Sequence, residues 1–351
     1  MELINNTDFL LDSYEYLDRD GMEYALILVR GRFKLESAKD SDSHDWNLVP
    51  DEDQGELFDD DIHYDNDPTA SICFEKDRVD FKPTTDVIVN GYAYAPEGKP
   101  AKSWLAGIKI GTHEKIVKVY GQRYWEKQGD NWTLSDAEPC QKVALRYENA
   151  YGGEPSPDSD PKLTQFNPVG KGVFNAKTTE KRRPAHQIEH PDEPIVHINT
   201  RYYPQGTGII HREWQPRKSL KGEVSPYITK EMPPEQGENL RGNQAAPFEL
   251  MMPKYLRGDE TILLANLLEG NERQVIKLPQ QLLYFGSIST PDDKYWGYLF
   301  LDTVIIDLND IDPSKSRLYL SWRGDHIAPD LIEKISVYSH KMKQKEVDIH
   351  V

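Results

Sequence analysis

Apolar and polar residues alternate along several short segments in the first third of the chain, and this alternation is the pattern of β-strands. The segment 86–94 has apolar residues at successive positions, so we expect a strand buried on both faces or close to it. Pro and Gly residues at 96–100 predict a turn. Two more β-type runs follow at 104–111 and 115–121. Three runs with short links predict an antiparallel meander.

A second strand pattern lies at 24–35 and continues to alternate in its second half. One side of this run is basic, and the other side is mostly apolar: Arg30, Arg32 and Lys34 against Val29, Gly31, Phe33 and Leu35. Such a run predicts a strand with one face on the core and one face in water.

The last third of the chain contains three more β patterns and one helical pattern. We predict a buried strand at 261–267, and two late strands at 296–306 and 317–324 joined by a hairpin-type connection. The segment 329–339 has the strongest helical pattern of the chain, because Pro329 opens it and apolar residues fall on one side.

These patterns predict a mainly β fold of antiparallel, sandwich-like sheets with long irregular loops and a few short helices. We predict an N-terminal β-sheet region at 1–153, an irregular loop region at 154–194, and a C-terminal β-rich region with a terminal helix at 195–351. The alternative is one continuous domain. The pattern does not decide whether the late strands complete the first sheet or form a second one.

The net charge of −17 argues against binding to nucleic acid or to an anionic membrane, because both need a basic surface. Twelve acidic residues and no Lys or Arg lie between Asp40 and Asp67. We interpret this stretch as a solvated loop insertion. The alternatives are an acidic docking segment and a calcium loop, although Asp59, Asp60 and Asp61 lack the ligand spacing of a calcium loop.

The chain carries two cysteines, Cys73 and Cys140, and we expect free, buried thiols rather than a disulfide. The first residues do not have the pattern of a signal peptide. The apolar runs are far shorter than the roughly 20 residues of a membrane span. We therefore expect a soluble cytoplasmic protein.

A search for catalytic motifs finds no nucleophile elbow, no zinc-binding pattern and no dinucleotide fingerprint. The run Gly170-Lys171-Gly172 lacks the spacing of a phosphate loop. His186, His190 and His197 are expected to be surface or structural residues, because Pro191 ends any helix that would bring the first two together. We predict no catalytic residue, no cofactor and no metal, although paired carboxylates of a glycoside hydrolase stay open.

Trp beside Arg suits a protein interface and a β-rich core equally well, and the pattern occurs at Trp214 with Arg217 and at Trp322 with Arg323. A small basic cluster is expected to be a solvated loop or a partner for an acidic segment; it consists of Lys177, Lys181, Arg182 and Arg183.

Short sequence pieces distributed over some 240 residues carry a family resemblance. They include Lys82 to Val87, Gly91 to Pro96, Arg146 to Gly153, Asn167 to Gly172, Trp214 to Arg217, Asn243 to Pro247, Gly258 to Glu260, Leu301 to Val304 and Leu320 to Gly324. Because these pieces occur in this order, the chain resembles a bacterial family of uncharacterised domains whose members act as effector-loading adaptors, or chaperones, of the type VI secretion system.

The resemblance implies a non-catalytic protein that binds a toxic effector in the cytoplasm and passes it to the spike protein of the secretion tube. The effector is expected to carry a PAAR domain or a related N-terminal region. Two segments depart from the family pattern, 213–231 and the acidic stretch, and they affect the expected partner rather than the family.

We hypothesise that the loop 154–194 forms part of the effector groove, because loops on rigid sheets commonly carry recognition. The candidate contact residues are Trp214, Arg217, Arg212, Asn167, Lys171, Arg182 and Arg183. If Trp214 is an anchor, Trp214→Ala weakens effector binding by about 2 kcal/mol or more. The alternative functions are a structural component of the spike or baseplate and a carbohydrate-acting hydrolase.

Overall fold

The structure is a computed structural model that describes residues 1–17, 23–37, 45–153, 160–221, 240–290, 293–310, 312–327 and 331–341. Its strands are β1 (Glu2–Asn6), β2 (Leu10–Leu17), β3 (Glu23–Ser37), β4 (Asp45–Pro50), β5 (Ile62–His63), β6 (Ile72–Phe74), β7 (Asp86–Asn90), β8 (Tyr92–Tyr94), β9 (Ser103–Ile110), β10 (His113–Tyr120), β11 (Tyr124–Gln128), β12 (Asn131–Leu134), β13 (Lys142–Ala144), β14 (Tyr151–Gly152), β15 (Lys171–Gly172), β16 (Arg182–Pro184), β17 (Ile188–Glu189), β18 (Thr261–Leu268), β19 (Asn271–Lys277), β20 (Gln281–Thr290), β21 (Asp293–Asp307), β22 (Arg317–Ile327) and β23 (Lys334–Lys341). The helices are α1 (Pro161–Thr164) and α2 (Arg217–Lys221), and single 3-10 turns lie at Tyr64–Asn66, Pro96–Gly98, Tyr147–Asn149, Leu240–Asn243, Phe248–Leu250 and Pro313–Lys315.

Strands from both ends of the chain build one sheet. Its order is β1-β23-β20-β21-β22-β3-β4-β19-β18-β9-β10-β17, with β2 paired to β3 and β7 paired to β21. The late strands therefore complete the sheet of the early ones. The predicted mainly β class is confirmed, and most strand pairs are antiparallel, with parallel pairing at β1–β23, β4–β19, β7–β21 and β14–β15.

The predicted three-stranded meander is confirmed for its last two strands and wrong for its first. Strands β9 and β10 form the expected antiparallel hairpin. Strand β7 instead pairs in parallel with β21, where Asp86 lies opposite Thr303, and β8 pairs with β13. All five residues of β7 are buried, so this strand needs cover on both faces, which a place in a three-stranded meander at the surface would not give.

The predicted terminal helix is wrong where the structure describes it. Residues 334–341 form β23, which lies between β1 and β20. Ile335 and Val337 are buried and point to the same side at a spacing of two, while Leu331 is exposed. These residues therefore follow the period of a strand, and the predicted start at Pro329 and Asp330 lies outside the described residues.

The basic side of β3 is only partly exposed to water, because acidic side chains pair with it. Arg30 is buried against Asp77, with Nη1 and Oδ2 2.5 Å apart. Arg32 and Lys34 both lie near Asp51, whose side chain is 6 % exposed. The alternation predicted the strand correctly, but the basic face pairs with acidic residues that come later in the chain.

The acidic stretch is the predicted solvated insertion only in part: most acidic side chains of the described residues 45–67 are exposed, but the stretch is also tied into the scaffold. Its first part forms β4, which pairs with β3 and β19. Asp51 also accepts a hydrogen bond of 2.7 Å from Arg317 Nε, and Asp61 accepts two from Arg212 at 2.8 and 2.9 Å. Residues 40–44 lie outside the described part of the chain.

Both cysteines are free; Cys73 is buried and Cys140 is half-buried. Burial raises the pKa of the Cys73 thiol to about 12, so this thiol is an unreactive core residue. Within the described ranges, the protein has no helix with the length and apolar character needed to cross a membrane.

Candidate functional site

A cavity of about 1170 Å³ opens beside the large sheet, and it is lined by segments that carried the family resemblance. Its walls come from four places in the sequence: 63–70, 146–153, 168–175 and 183–184, together with His211 and Trp214. The turn around β14 and the loop around β15 form the inner walls. The sequence pieces at 146–153 and 167–172 are therefore neighbours in space.

Glycine permits the close contact of these two inner walls. A Cβ at Gly152 would lie 2.1 Å from the carbonyl oxygen of Asn167, and a Cβ at Gly153 would lie 2.2 Å from the carbonyl oxygen of Val173. Any other residue type would push the walls apart. The glycine pair predicted a turn, and the structure shows that it also allows this backbone contact.

Asn167 holds the same two cavity walls together through buried hydrogen bonds. Its Nδ2 donates to the carbonyl oxygens of Tyr147 and Tyr151, at 2.8 and 3.0 Å, and the side chain is fully buried. A buried amide with both donors used stabilises a loop rather than presenting a contact to a partner. Asn167 thus positions the cavity wall without facing a ligand.

Lys171 lies on β15 and lines the cavity, where its Nζ donates to Asn149 Oδ1 at 3.0 Å. Burial lowers the pKa of Lys171, the Glu148 carboxylate raises it, and Arg146 lowers it again. Among the described residues, Lys171 has no ion-pair partner. The cavity therefore contains an ammonium group that no carboxylate of the described residues contacts directly.

The acidic groups on the cavity walls are already engaged. Glu148 accepts the backbone N–H and the hydroxyl of Ser71, at 2.7 and 2.8 Å. Asp65 accepts a hydrogen bond of 2.6 Å from Arg146 Nη1. These contacts tie the segment 63–71 to the turn at 146–149 and fix the mouth of the cavity.

Trp214 and Arg217 are buried, at 7 % and 5 % exposure. The indole of Trp214 packs edge-on against Tyr147, with ring centroids 5.5 Å apart. Arg217 donates to Glu75 at 2.7 Å and to three backbone carbonyls, those of Ile210, Gly242 and Asn243. That Trp214 and Arg217 contact a partner stays a prediction. In this structure both side chains pack against residues of the same chain.

The remaining predicted contact residues are more accessible. Arg212 pairs with Asp61, and Arg182 lies over the Tyr124 ring at 3.6 Å. Arg183 lines the cavity and pairs with the exposed Glu180 at 3.2 Å. The cavity thus brings together Lys171, Arg183 and Trp214 of the predicted set, while Arg212 and Arg217 form a separate network around Glu75.

The three histidines at 186–197 occupy different environments. His186 is fully buried, with Nε2 2.7 Å from Glu189 Oε1, whereas His197 is exposed. In the described part of the chain, no group of three or more His, Cys, Asp or Glu residues is arranged to hold a metal ion.

A second surface was missed at the sequence level: the outer side of the sheet formed by β20, β21 and β23. We name it the aromatic face and define it by Trp296, Tyr298, Phe300, Tyr284 and Tyr338. The first three are 60 %, 48 % and 45 % exposed. Aromatic residues at every second position of β21 must share one side of the strand, and this spacing was the available signal.

The rings of the aromatic face order one another. Tyr284 stacks on Tyr338 at 5.4 Å and 17°, and the Trp296 ring lies 6.0 Å from both. A Cβ on Gly286 would lie 3.0 Å from the Trp296 ring, so the indole covers this glycine. On the opposite side of these strands Leu283, Phe285 and Val337 are buried in the core, whereas Tyr295 near the start of β21 is exposed. The aromatic face is therefore an ordered, partly exposed surface of packed rings, and Tyr255 stacks on Phe300 at one end of it.

Comparison with known proteins finds one family. The family described as "Uncharacterized protein conserved in bacteria (DUF2169)" matches the chain over residues 20–323. No curated protein and no solved structure matches the chain.

Proposed function

The chain belongs to this bacterial family, DUF2169, and on that premise we propose that it is a non-catalytic adaptor that binds a type VI secretion effector and loads it onto the spike protein. The resemblance set out above supplies the secretion role, the PAAR-like client region and the cytoplasmic location as parts of this proposal.

The aromatic face is the observation that carries the proposal. Monomeric proteins rarely expose contiguous apolar surface of this kind, and such surfaces mark contacts with other proteins. Trp and Tyr dominate the binding energy of interfaces because they bury large area with little loss of side-chain entropy. Trp296 and Tyr298 have both the residue type and the exposure of such anchors.

A free sheet edge lies beside the aromatic face and supports the same function. β1 is the terminal strand of the large sheet, and among the described strands it pairs with β23 alone. An extended client segment can add to such an edge through backbone hydrogen bonds. The aromatic face and this edge together suit a client with an apolar, extended N-terminal region.

Co-purification tests the proposal. The tagged full-length protein is expressed with the effectors and the spike protein encoded beside it, and the eluate is identified by mass spectrometry. We expect a defined complex with an effector that carries a PAAR-like N-terminus, and we expect its loss when that N-terminus is deleted. Folded protein that captures neither an effector nor a spike protein would contradict the proposal.

A further inference from the structure

Lys171 differs from the lysines that the fold uses in its interior. Lys82 and Lys115 are buried, and each pairs with a carboxylate, Asp86 at 2.9 Å and Glu249 at 2.8 Å. Lys171 is half-buried on the wall of a large cavity, and its one hydrogen bond goes to the neutral amide oxygen of Asn149. A partly desolvated ammonium gains most from an anionic partner, and the described fold supplies none in contact.

The other donors on the cavity walls suit an oxygen ligand. Nδ1 of His211 accepts the backbone N–H of Glu213 at 3.0 Å, so the neutral ring carries its proton on Nε2. Arg183 adds a guanidinium whose carboxylate partner, Glu180, is exposed to solvent. Lys171, His211 and Arg183 all line the same cavity.

The charge balance of the walls selects the kind of anion. Among the described residues, three carboxylates, those of Asp65, Asp67 and Glu148, line the cavity along with three cations, those of Arg146, Lys171 and Arg183. Nearby carboxylates repel a dianion such as phosphate more than a single carboxylate. The arrangement therefore favours a ligand with one negative charge.

The size of the cavity and its apolar walls indicate which kind of molecule carries the negative charge. A volume of about 1170 Å³ exceeds the usual range of small-molecule pockets, about 300–1,000 Å³. Apolar side chains line much of the cavity, namely Pro68, Ala70, Pro168, Val169, Val173 and Phe174. A peptide segment with apolar residues around one acidic residue fits both features.

We propose that this cavity binds an apolar segment of the client protein and that the Asp or Glu side chain of that segment pairs with Lys171. The inference rests on the proposed adaptor function for the identity of the client. The chemistry of the site, a carboxylate on Lys171, does not depend on that function and is tested separately.

The site itself is tested on the full-length protein without any client. Its lysines are converted to ¹³C-dimethyl-lysines, and the Lys171 resonance is assigned by its loss in Lys171→Met. N-acetyl-glutamate-N-methylamide is then added, with the glutamine analogue as the neutral control and inorganic phosphate as the dianionic control. We expect the Lys171 resonance to shift saturably with the glutamate probe and with neither control. The resonance of the exposed Lys162 serves as an internal reference and should not shift.

If the glutamate probe does not shift the Lys171 resonance, or shifts it no more than the Lys162 resonance, the proposed carboxylate site is wrong. A response to phosphate that equals the response to glutamate overturns the choice of a single carboxylate.

The client is tested with the effector captured by co-purification. We expect Lys171→Met to weaken effector binding at least tenfold, Lys171→Arg to retain most of the affinity, and Lys162→Met to bind like the wild type. An effector that binds wild type and Lys171→Met equally overturns the inference and leaves the adaptor function standing. If wild type captures no effector, the adaptor function fails, and a glutamate-specific shift of Lys171 would assign the cavity to a carboxylate ligand of another source.

Discussion

Nη1 of Arg323 lies 2.6 and 2.7 Å from the two carboxylate oxygens of Asp302, and both side chains are buried. Burial alone would lower the pKa of Arg323, but Asp302 outweighs it and raises that pKa above its usual value. Arg323 also donates to the hydroxyl of Tyr14 and to the carbonyl oxygen of Asp77. One guanidinium therefore joins β2, β21, β22 and the segment after β6.

Arg323→Met should lower the free energy of unfolding by about 3–5 kcal/mol, because it leaves the Asp302 carboxylate buried without its cationic partner. Urea denaturation followed by circular dichroism measures the change. The exposed pair Lys99–Glu97, at 2.6 Å, provides the control, since Lys99→Met should change stability by less than about 1 kcal/mol. Equal effects of the two substitutions would contradict this account of the buried pair.

Stability should fall as the pH drops from 6.5 towards 4, because of His186. Burial lowers the pKa of this ring to about 4, against the opposing hydrogen bond with Glu189. Between these values the unfolded chain binds a proton at His186 that the folded chain does not, so stability is complete above pH 6.5 and is lost on acidification. The loss is up to about 3 kcal/mol.

The pH dependence of the unfolding midpoint checks this prediction. His186→Gln should flatten the slope between pH 6.5 and 5, whatever its effect on absolute stability. His197→Gln changes an exposed ring and should keep the wild-type slope. An unchanged slope in His186→Gln would assign the acid sensitivity to other groups.

Trp296→Ala and Tyr298→Ala should each weaken binding of the captured effector at least tenfold, which corresponds to about 1.4 kcal/mol or more. About half of each side chain is exposed and each cross-strand contact is worth about 0.2–1 kcal/mol, so the unfolding free energy should fall by no more than about 1 kcal/mol. Isothermal titration calorimetry gives the affinity. Tyr203→Ala and Phe248→Ala remove equally exposed aromatics elsewhere on the surface and should bind normally. Wild-type affinity in both aromatic-face variants would place the client on another surface.

Trp214→Ala should lower the free energy of unfolding by about 3–5 kcal/mol, since the indole packs against Tyr147 and His211 in a small core cluster. Denaturation and effector binding must be measured on the same preparation. A stable variant with weak effector binding would support the interface role predicted for Trp214, and an unstable variant would support the core role.

Local alternation was enough to predict several of the strands. The patterns at 24–35, 261–267 and 296–306 each became β3, β18 and β21, because a strand buried on one or both faces has a residue pattern that few other structures tolerate. Lys171 could also be named from sequence, since it lies in a short Gly-flanked piece of the family pattern.

Pairing over long distances in the chain was decided only by the tertiary structure. Asp86 lies opposite Thr303, and Glu2 lies opposite Lys334, and no local pattern specifies such neighbours. The apolar residues at 331, 332, 335 and 337 were read as one side of a helix, but β1 and β20 on either side supply backbone partners for a strand at 334–341.

The character of the candidate sites also depended on partners from elsewhere in the sequence. Arg217 pairs with Glu75, and Asp51 with Arg317, so groups that look solvated in the sequence are interior ion pairs. Lys171 is exceptional only because no carboxylate of the fold contacts it within the described residues. Sequence determines which side chains are available and which period they follow. Only the folded chain determines which charges are neutralised and which aromatic rings stay exposed, because both depend on distances between residues far apart in the chain.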